Sequence, residues 1–318
     1  GSLNKHNLCV YIPGHSGLVG QAFVRKLRDE GSGSLLLKTH LELDLTNQGM
    51  VTDFFSSEKP DLVILAAAKV GGIHANNTYP AEFIYENMMI ECNLIHQSYL
   101  HGVKNLIYFG STCAYPKNAL QPMKEDSILT GPLEPTNEPY AVAKIAGIKL
   151  CESYNRQYGT CYQTILPTNL YGIHDNFHPE NSHVIPGLMR RIHEAKVNDI
   201  PEVSIWGSGS AKREFLFVDD LVEACLLLLD YNEDYSPVNI GSQEEVSILE
   251  LAEMMVEVVG YKGRLAFDTS KPDGMPLKKV DTSKMDALGW KARTPLREGL
   301  QKVYCWFLTN NISKNIKS

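Results

Sequence analysis

The chain has 318 residues, of which 43% are hydrophobic and 21% are charged, and its formal net charge at pH 7 is -7. This composition is that of an ordinary globular protein, and the length allows one large domain with an appended lobe, or two domains. The acidic balance argues against a general nucleic-acid binder, and the longest apolar runs, LCVYI and ACLLLLD, are far shorter than the ~20 residues of a membrane helix.

The cysteine content and the N-terminal sequence bear on the compartment. Seven cysteines form no C-x-x-C pair, and an odd count suits a reducing compartment better than a disulfide framework. The first residues lack the charged and then apolar pattern of a secretory signal. We therefore expect a cytoplasmic protein with no membrane partner.

Apolar runs of strand length alternate with longer segments of helical period, which is typical of βαβ units around a parallel sheet. The predicted strands are NLCVYI (7–12), SLLLKT (34–39), LVILAA (62–67), NLIYFG (105–110) and CYQTILP (161–167). The predicted helices cover residues 18–30, 47–58, 80–101 and 139–158. We expect a Rossmann-type, doubly wound α/β fold with a parallel sheet.

The two longest predicted helices have a further possible role. The helix over 139–158 begins at Pro139, which suits a first helical turn, and Asn137 just upstream can cap it. Roughly 20 residues give a helix of ~30 Å, long enough to cross a domain. This helix and the one over 80–101 are therefore candidates for a homodimer interface as well as for packing on the sheet.

After PTNLYG (167–172) the regular alternation loosens into a polar loop and shorter elements, with no internal repeat and no low-complexity linker. This favours a smaller C-terminal α/β lobe packed against the sheet. We predict a dinucleotide-binding domain over 3–170, to which a segment at about 214–243 returns. The predicted substrate-binding lobe comprises residues 171–213 and 244–318.

A glycine-rich loop follows the first predicted strand. In VYIPGHSGLVG, Gly14, Gly17 and Gly20 stand between that strand and a helix. Glycines let the backbone approach a pyrophosphate, and a helix N-terminus supplies free N–H donors and a positive dipole end. A tight strand-to-helix turn without a ligand is the structural alternative, but the order of strand, glycine loop and helix favours dinucleotide binding.

The end of the second predicted strand bears on the choice of nicotinamide cofactor. NAD binders carry an acidic residue at this point, whereas a basic residue accommodates the extra phosphate of NADP. LLLKTHLELDL places Lys38 and His40 there, with Asp44 where it can meet the adenine. NADP(H) is therefore favoured, although Lys38 also fits a solvated charge at a strand end.

Three polar residues converge on the end of the fourth predicted strand. NEPYAVAK places Tyr140 and Lys144 four residues apart at the start of a helix, so that both share one face. A tyrosine with a pKa of ~10 is a poor acid at neutral pH, and a nearby ammonium lowers that pKa. Ser111 ends the strand, at the sheet edge where ligands bind in open α/β folds.

The ordered combination of GxxGxxG, the strand-end Ser111 and Y-x-x-x-K resembles the extended short-chain dehydrogenase/reductase superfamily that acts on nucleotide sugars. Longer segments, among them AAAKVGGIHANNTYPAEFIYENMMIECN, PTNLYGIHDNFHPENSHVIPGLMRRIHEA and WGSGSAKREFLFVDD, are similar to the GDP-4-keto-6-deoxy-D-mannose 3,5-epimerase 4-reductases within it. This resemblance covers nearly the whole chain. Lys38 and His40 depart from the arginines of those relatives, and Lys lacks the bidentate fork of Arg.

The resemblance implies inversion of the two carbons that flank a C4 ketone, followed by reduction of that ketone. Tyr140 and Ser111 would bind the ketone oxygen, with Tyr140 as proton donor supported by Lys144. Inversion also needs two proton-transfer groups on opposite faces. Cys113, two residues after Ser111, is the candidate base, and His183 is the candidate acid from the other lobe. Core packing is the alternative for any one cysteine, and catalysis would require the site to favour the thiolate, with the help of Lys144.

The resemblance also implies binding contacts. Besides the glycine loop and Lys38, His40 and Asp44, the cofactor residues would be Ala67, Lys144, Pro167, Asn169, Leu170 and His183. For the GDP-sugar the candidates are Arg191, Arg213 and Lys278 on the diphosphate, because guanidinium groups fit phosphates in a fork, and Trp206 against guanine or the sugar. Surface ion pairs and a buried aromatic side chain are the structural alternatives.

Two further hypotheses remain open from the sequence. His174, His178 and His183 share one loop, but no cysteine or carboxylate pattern of a zinc site accompanies them, so we predict no metal. A single-function nucleotide-sugar 4-reductase or 4-epimerase would need Ser111, Tyr140 and Lys144 alone. A non-catalytic dinucleotide-binding scaffold would be expected to have lost Y-x-x-x-K, which is intact here.

Overall fold

The computed structural model describes residues 7–31, 33–179 and 182–312. Its main sheet contains six parallel strands in the order β2-β1-β3-β4-β5-β9. These strands are β1 (Cys9–Tyr11), β2 (Ser34–Leu36), β3 (Leu62–Leu65), β4 (Asn105–Phe109), β5 (Cys161–Pro167) and β9 (Val238–Ile240). The chain leaves β1 toward one edge and then crosses to the other, which creates a topological switch point between β1 and β3.

Helices cover both faces of this sheet. They are α1 (Leu18–Asp29), α2 (Gln48–Glu58), α3 (Ile73–Thr78), α4 (Pro80–Leu100), α5 (Glu138–Tyr158) and α7 (Val218–Tyr231). Alternate side chains of each strand point to opposite faces. In β4, Ile107 and Phe109 join the core under α1 and α7, whereas Leu106 and Tyr108 join the core under α2, α4 and α5.

The predicted fold class is confirmed, and the predicted elements agree with the observed ones to within a few residues at each end. The largest differences are at β1 and β2, whose observed lengths are three residues each. The helix α5 has Pro139 in its first turn, as predicted. The expected cap is wrong in detail, because Asn137 stands at the N-cap position and its side chain makes no capping hydrogen bond.

The later chain builds a second core. Its strands are β6 (Asn169–Tyr171), β7 (Glu202–Trp206), β8 (Lys212–Phe217), β10 (Glu245–Ser247), β11 (Arg264–Asp268) and β12 (Leu277–Lys278). Its helices are α6 (Val184–Val197), α8 (Ile248–Val259) and α10 (Leu296–Thr309), whereas α9 (Ser283–Ala287) packs against β9 and buries Met285 in the core of the main sheet. Met189, Met255, Leu251, Leu300 and Phe307 are fully buried in this core. The predicted domain boundaries remain a prediction.

Two buried carboxylates connect the later chain to the main sheet. Glu214 on β8 accepts backbone hydrogen bonds from Gln243 at 2.7 Å and from Val280 at 3.2 Å. Asp220 on α7 accepts bonds from the backbone N–H groups of Arg293 and Thr294 and from the Thr294 hydroxyl. Each carboxylate therefore fixes a loop of the C-terminal region against an element that leads to the main sheet.

No helix in the described ranges combines the length and the apolar character that a bilayer crossing requires. The seven cysteines all lie within these ranges and form no disulfide.

The substitution Asp220→Ala should destabilise the protein because it leaves two backbone N–H groups without their buried acceptor. We expect the free energy of unfolding to fall by about 2 kcal/mol, measured by urea denaturation. The matched control is Asp219→Ala, which removes the neighbouring, exposed carboxylate that pairs with Arg25 at 2.8 Å. That variant should lose at most about 1 kcal/mol. Equal losses in the two variants would contradict the assigned role of Asp220.

Candidate active site

The glycine loop after β1 lies against the end of β3. Gly14 has a φ of +80°, and a Cβ atom there would lie 2.6 Å from the backbone of Ala66 and Ala67. At Gly20 a Cβ atom would collide with the backbone carbonyl of Gly14. Only glycine fits at these two positions. The loop therefore lies directly against Ala67, at the switch point of the sheet.

Gly17 differs from the other two glycines because, among the described residues, no protein atom crowds the position of a side chain there. The nearest atom to a Cβ built there is the Gly14 carbonyl oxygen, 3.7 Å away. Gly17 is the N-cap residue of α1, and no side chain caps the first N–H groups of this helix. Uncapped N–H groups beside an open glycine suit a pyrophosphate, so the loop fits a dinucleotide such as NADP(H).

The residues predicted to select NADP lie near the end of β2. Lys38 is half-buried and His40 is exposed. The Lys38 charge acts on the neighbouring Glu42 carboxylate, whose pKa is lowered mainly by hydrogen bonds from Thr39. Asp44 accepts hydrogen bonds from the backbone and hydroxyl of Thr46. The observed contacts of Asp44 are thus within its own turn, and its contact with adenine remains a prediction.

Ser111 and Cys113 follow the carboxyl end of β4. The backbone leaves the extended conformation of the strand here, because Thr112–Ala114 form a turn of 3₁₀ helix. The Ser111 hydroxyl oxygen caps this turn by accepting from the Cys113 N–H at 3.3 Å. The turn therefore holds Ser111 and Cys113 together through a local hydrogen bond.

Tyr140 and Lys144 lie one turn apart on α5, beside this strand end. Lys144 is buried, and its ammonium donates to the Phe109 carbonyl at 3.0 Å. Its Nζ atom lies 5.6 Å from the centroid of the Tyr140 ring. The charge of Lys144 also acts on the Cys113 thiol. The structure therefore brings Ser111, Cys113, Tyr140 and Lys144 into one site.

The directions of the pKa shifts correct two expectations. Burial raises the pKa of Tyr140 far above its ordinary value, and the charges of Cys113 and Glu91 act in the same direction. Burial also raises the pKa of the Cys113 thiol, although the hydrogen bond with Ser111 and the charges of Lys144 and Lys278 oppose this. The expected lowering at Tyr140 is wrong because burial dominates there, and at Cys113 desolvation exceeds the effect of the ammonium, so the site does not favour the thiolate.

Lys278 lies closer to Cys113 than the sequence suggested. It belongs to β12 and is the register partner of Arg213 on β8. Burial lowers the pKa of Lys278, while the charge of Cys113 raises it and that of Arg213 lowers it. Two cations thus stand side by side near Cys113, an arrangement suited to an anionic ligand.

The other predicted substrate residues lie further along the same lobe. Trp206 ends β7 with 69% of its surface exposed, and the Lys271 ammonium lies 5.0 Å from its ring centroid. Arg191 on α6 is exposed and donates to the Ser204 carbonyl. Such an exposed ring is available for stacking against a base. The roles of Trp206 and Arg191 in binding remain predictions.

The remaining candidates come from β5, β6 and α6. Pro167 ends β5, and Asn169 and Leu170 begin β6, with the Asn169 amide donating to the Glu214 carbonyl. His183 is the exposed N-cap residue of α6. Its pairing with Cys113 across the site remains a prediction. In the described residues no group of three or more His, Cys, Asp or Glu side chains is placed to hold a metal ion.

Sequence reasoning missed Glu91, which lies on α4 behind Lys144. This carboxylate is buried and accepts a hydrogen bond from the Tyr108 hydroxyl. A charged residue within a helical pattern is typical of a solvated face, so the sequence carried no clear signal for it.

Comparison with known proteins identifies the family. The sequence profile of the NAD dependent epimerase/dehydratase family matches residues 10–241. The chain belongs to this family. The resemblance inferred from the sequence motifs is confirmed. The residues that match the family profile include the glycine loop, Ser111, Tyr140 and Lys144.

Individual relatives are similar along almost their full length. A putative GDP-L-fucose synthase 2 from Arabidopsis thaliana is 58% identical over 96% of this chain and 93% of its own. A GDP-L-fucose synthase from Escherichia coli (strain K12) is 54% identical over 95% and 97%. A solved GDP-mannoheptose C4 reductase from Campylobacter jejuni with NADP bound is 40% identical, with a TM-score of 0.87 over 95% of this chain and 99% of that one.

The substitution Gly17→Ala should weaken NADPH binding at least tenfold, because its methyl group would occupy the open side of the loop where the pyrophosphate approaches. Its melting temperature should stay near that of the wild type, since no protein atom is closer than 3.7 Å. Fluorescence titration with NADPH and a thermal melt measure the two quantities.

The matched control is Gly14→Ala, in which strain at a φ of +80° and the clash with Ala66 should lower the melting temperature as well. Unchanged NADPH affinity in a folded Gly17→Ala protein would show that the pyrophosphate does not bind at this loop.

Proposed function

We propose that this chain is a GDP-L-fucose synthase, an NADPH-dependent enzyme that epimerises GDP-4-keto-6-deoxy-D-mannose at C3 and C5 and then reduces its C4 ketone. The curated relatives named above carry the first part of this proposal, and the solved relative with NADP bound supports the cofactor. The observation that carries the mechanism is the placement of Cys113 beside Ser111, Tyr140 and Lys144. A reductase alone has no use for a thiol at this point.

In the epimerisation, Cys113 is the base that removes a proton from a carbon next to the ketone. The resulting enolate oxygen is stabilised by hydroxyl groups already placed for it, those of Ser111 and Tyr140. Return of a proton to the opposite face inverts the carbon, and His183 at the N-terminus of α6 is the proposed donor. Each proton transfer of this kind contributes roughly 10²–10⁴ in rate.

In the reduction, the same hydroxyl groups bind the ketone oxygen. Bound NADPH would supply the hydride. Tyr140 donates a proton to the oxygen as negative charge develops there. The Lys144 ammonium, 5.6 Å from the Tyr140 ring centroid, stabilises the phenolate that remains. A tyrosine whose pKa is raised by burial holds its proton until the oxygen of the substrate becomes basic enough to take it.

The sugar nucleotide is held by the cations of the later chain. Arg213 and Lys278 are neighbours across β8 and β12 and would bind the diphosphate, with Arg191 on α6 as a further cation. Trp206, exposed at the end of β7, would stack on the guanine base or line the sugar pocket. Burial of Lys278 increases the strength of its pairing with an anion, because the local dielectric constant is low.

We also infer a homodimer formed through α4 and α5, in a cytoplasmic protein. Both helices expose large apolar side chains, Tyr85 and Leu100 on α4 and Val142 and Tyr158 on α5. Tyr99 and Tyr158 stack between the two helices with ring centroids 3.9 Å apart. Exposed apolar side chains on two paired long helices are typical of a protein–protein interaction surface. The seven free cysteines suit a reducing compartment.

The epimerase activity is tested by incubating the protein with GDP-4-keto-6-deoxy-D-mannose in heavy water and following deuterium at C3 and C5, with NADPH added afterwards. We expect deuterium at both carbons before reduction. Cys113→Ser should slow the exchange at least a hundredfold, with NADPH affinity changed less than twofold. NADPH oxidation without exchange would instead identify a single-function reductase, and no oxidation at all would favour the scaffold.

The pH dependence of the exchange follows from the thiol. The thiolate is the base, and burial raises the pKa of Cys113 above its ordinary value of ~8.5. The fraction of thiolate therefore grows with pH through neutrality and is still growing at pH 8.5. We expect the initial rate of exchange to increase across pH 6.5–9, whereas a plateau below pH 7.5 would contradict the raised pKa.

The dimer is tested with the double variant Tyr85→Glu and Tyr158→Glu, which places a charge on the exposed face of each helix. We expect sedimentation equilibrium to change from the mass of two chains to that of one. Leu308→Glu is the matched control, because Leu308 is an exposed apolar residue on α10, away from both helices. A wild-type protein that sediments as a monomer would refute the inferred dimer.

A further inference from the structure

A buried carboxylate lies behind the proposed catalytic lysine. Glu91 on α4 has only 2% of its surface exposed. One of its oxygens accepts a hydrogen bond from the Tyr108 hydroxyl, and the other, Oε2, has no hydrogen-bond partner. Burying a carboxylate in this way costs stability, and replacement by apolar side chains of similar volume is often neutral or stabilising.

Tyr108 connects this carboxylate to Lys144. The Tyr108 ring is fully buried in β4, and the Lys144 ammonium lies 5.2 Å from its centroid. The Tyr108 hydroxyl lies 3.4 Å from the Lys144 carbonyl as it passes between α5 and α4 to reach Glu91. The Lys144 ammonium therefore lies over the Tyr108 ring, and Glu91 lies at the hydroxyl end of the same side chain.

The Tyr108 side chain has room to reach Glu91 because residue 147 is a glycine. A Cβ atom at Gly147 on α5 would collide with the hydroxyl end of the Tyr108 ring. Glycine inside a helix is less favourable than alanine. Three elements, α4, β4 and α5, are thus shaped so that a tyrosine hydroxyl reaches one buried carboxylate.

Lys144 needs an anion because its own hydrogen bond is to a neutral carbonyl. Burial lowers the pKa of Lys144, and among the charges that oppose this effect that of Glu91 is larger than that of Cys113. Burial raises the pKa of Glu91 to about 7, against the effects of the Lys144 charge and the Tyr108 hydrogen bond. The two groups stabilise each other's charged forms.

We propose that Glu91 is a positioning residue for the reduction: acting across the Tyr108 ring, its carboxylate compensates the buried charge of Lys144 and keeps that ammonium beside Tyr140. The proposal deepens the proposed function and rests on it. Glu91 itself touches neither substrate nor cofactor in this role. Its effect reaches the reacting oxygen through Lys144 and then Tyr140.

The titratable groups around Glu91 come from three elements. Tyr108 faces it from β4, Lys144, Tyr140 and Cys151 interact with it from α5, and Cys92 is its neighbour on α4. Burial raises the pKa values of both tyrosines and of both cysteines, so these groups stay neutral around pH 7. Lys144 is therefore the cation that responds to removal of the Glu91 charge.

The test is Glu91→Gln, which keeps the shape and removes the charge. Without the carboxylate, the pKa of Lys144 falls further, so the ammonium is lost at a lower pH. We expect the alkaline decline of kcat for NADPH oxidation to move about one pH unit lower, with KM for NADPH within twofold of the wild type. The readout is the pH profile from pH 6 to 10 with saturating substrate.

Two variants accompany it. Tyr108→Phe keeps the ring and removes the hydrogen bond that fixes the carboxylate, and it should give a smaller shift in the same direction. Glu152→Gln is the matched control, because Glu152 lies on α5 in a partly exposed pair with Lys149 at 2.9 Å. Its profile should overlay that of the wild type.

The outcomes separate the two proposals. A Glu91→Gln profile that overlays the wild type overturns the role of Glu91. Should that variant not fold, Tyr108→Phe decides in its place, and an unshifted profile overturns the role. A wild-type protein that does not oxidise NADPH with the GDP-4-keto sugar overturns the proposed function itself, which the paired assay reveals before any variant is compared.

Discussion

The burial of one ammonium group, that of Lys144, is the constraint on which the site depends. A lysine without water must be held by hydrogen bonds and by surrounding negative charge, since desolvation alone favours its neutral form. The Phe109 carbonyl supplies the hydrogen bond at the carboxyl end of β4. The ammonium lies over the rings of Tyr108 and Tyr140, whose electron-rich faces suit a cation. The strand end, the helix α5 and both tyrosines therefore have to be placed together.

This placement follows from the sheet. A parallel strand order sends the carboxyl ends of β1, β3 and β4 to one edge, where the glycine loop, Ala67 and Ser111 all appear. The later chain then brings its own cations to that edge through β8 and β12. Glu214 and Asp220 hold this second region by accepting backbone N–H groups. The site thus lies between two cores, which are joined by buried carboxylates that accept hydrogen bonds from backbone N–H groups.

The sequence predicted the parts of this arrangement that depend on pattern. Strand and helix bounds followed from hydrophobic periodicity, and the glycine loop, Ser111, Tyr140 and Lys144 followed from spacing within elements. Lys278 was named, but its nearness to Cys113 depends on the pairing of β12 with β8, which a linear sequence does not display. The direction of the pKa shifts at Cys113 and Tyr140 was missed because desolvation is a property of the packed site. Glu91 was missed because a glutamate in a helix is ordinarily solvated.

The raised pKa of Cys113 has a consequence for the chemical durability of the enzyme. Oxidants and electrophiles attack thiolates far faster than thiols, so a cysteine that stays protonated at rest is spared most of this damage. The exposed thiol of Cys305 meets such reagents first. In the proposed role as a base, a thiol that stays protonated at rest reacts more slowly with oxidants but supplies less thiolate at neutral pH.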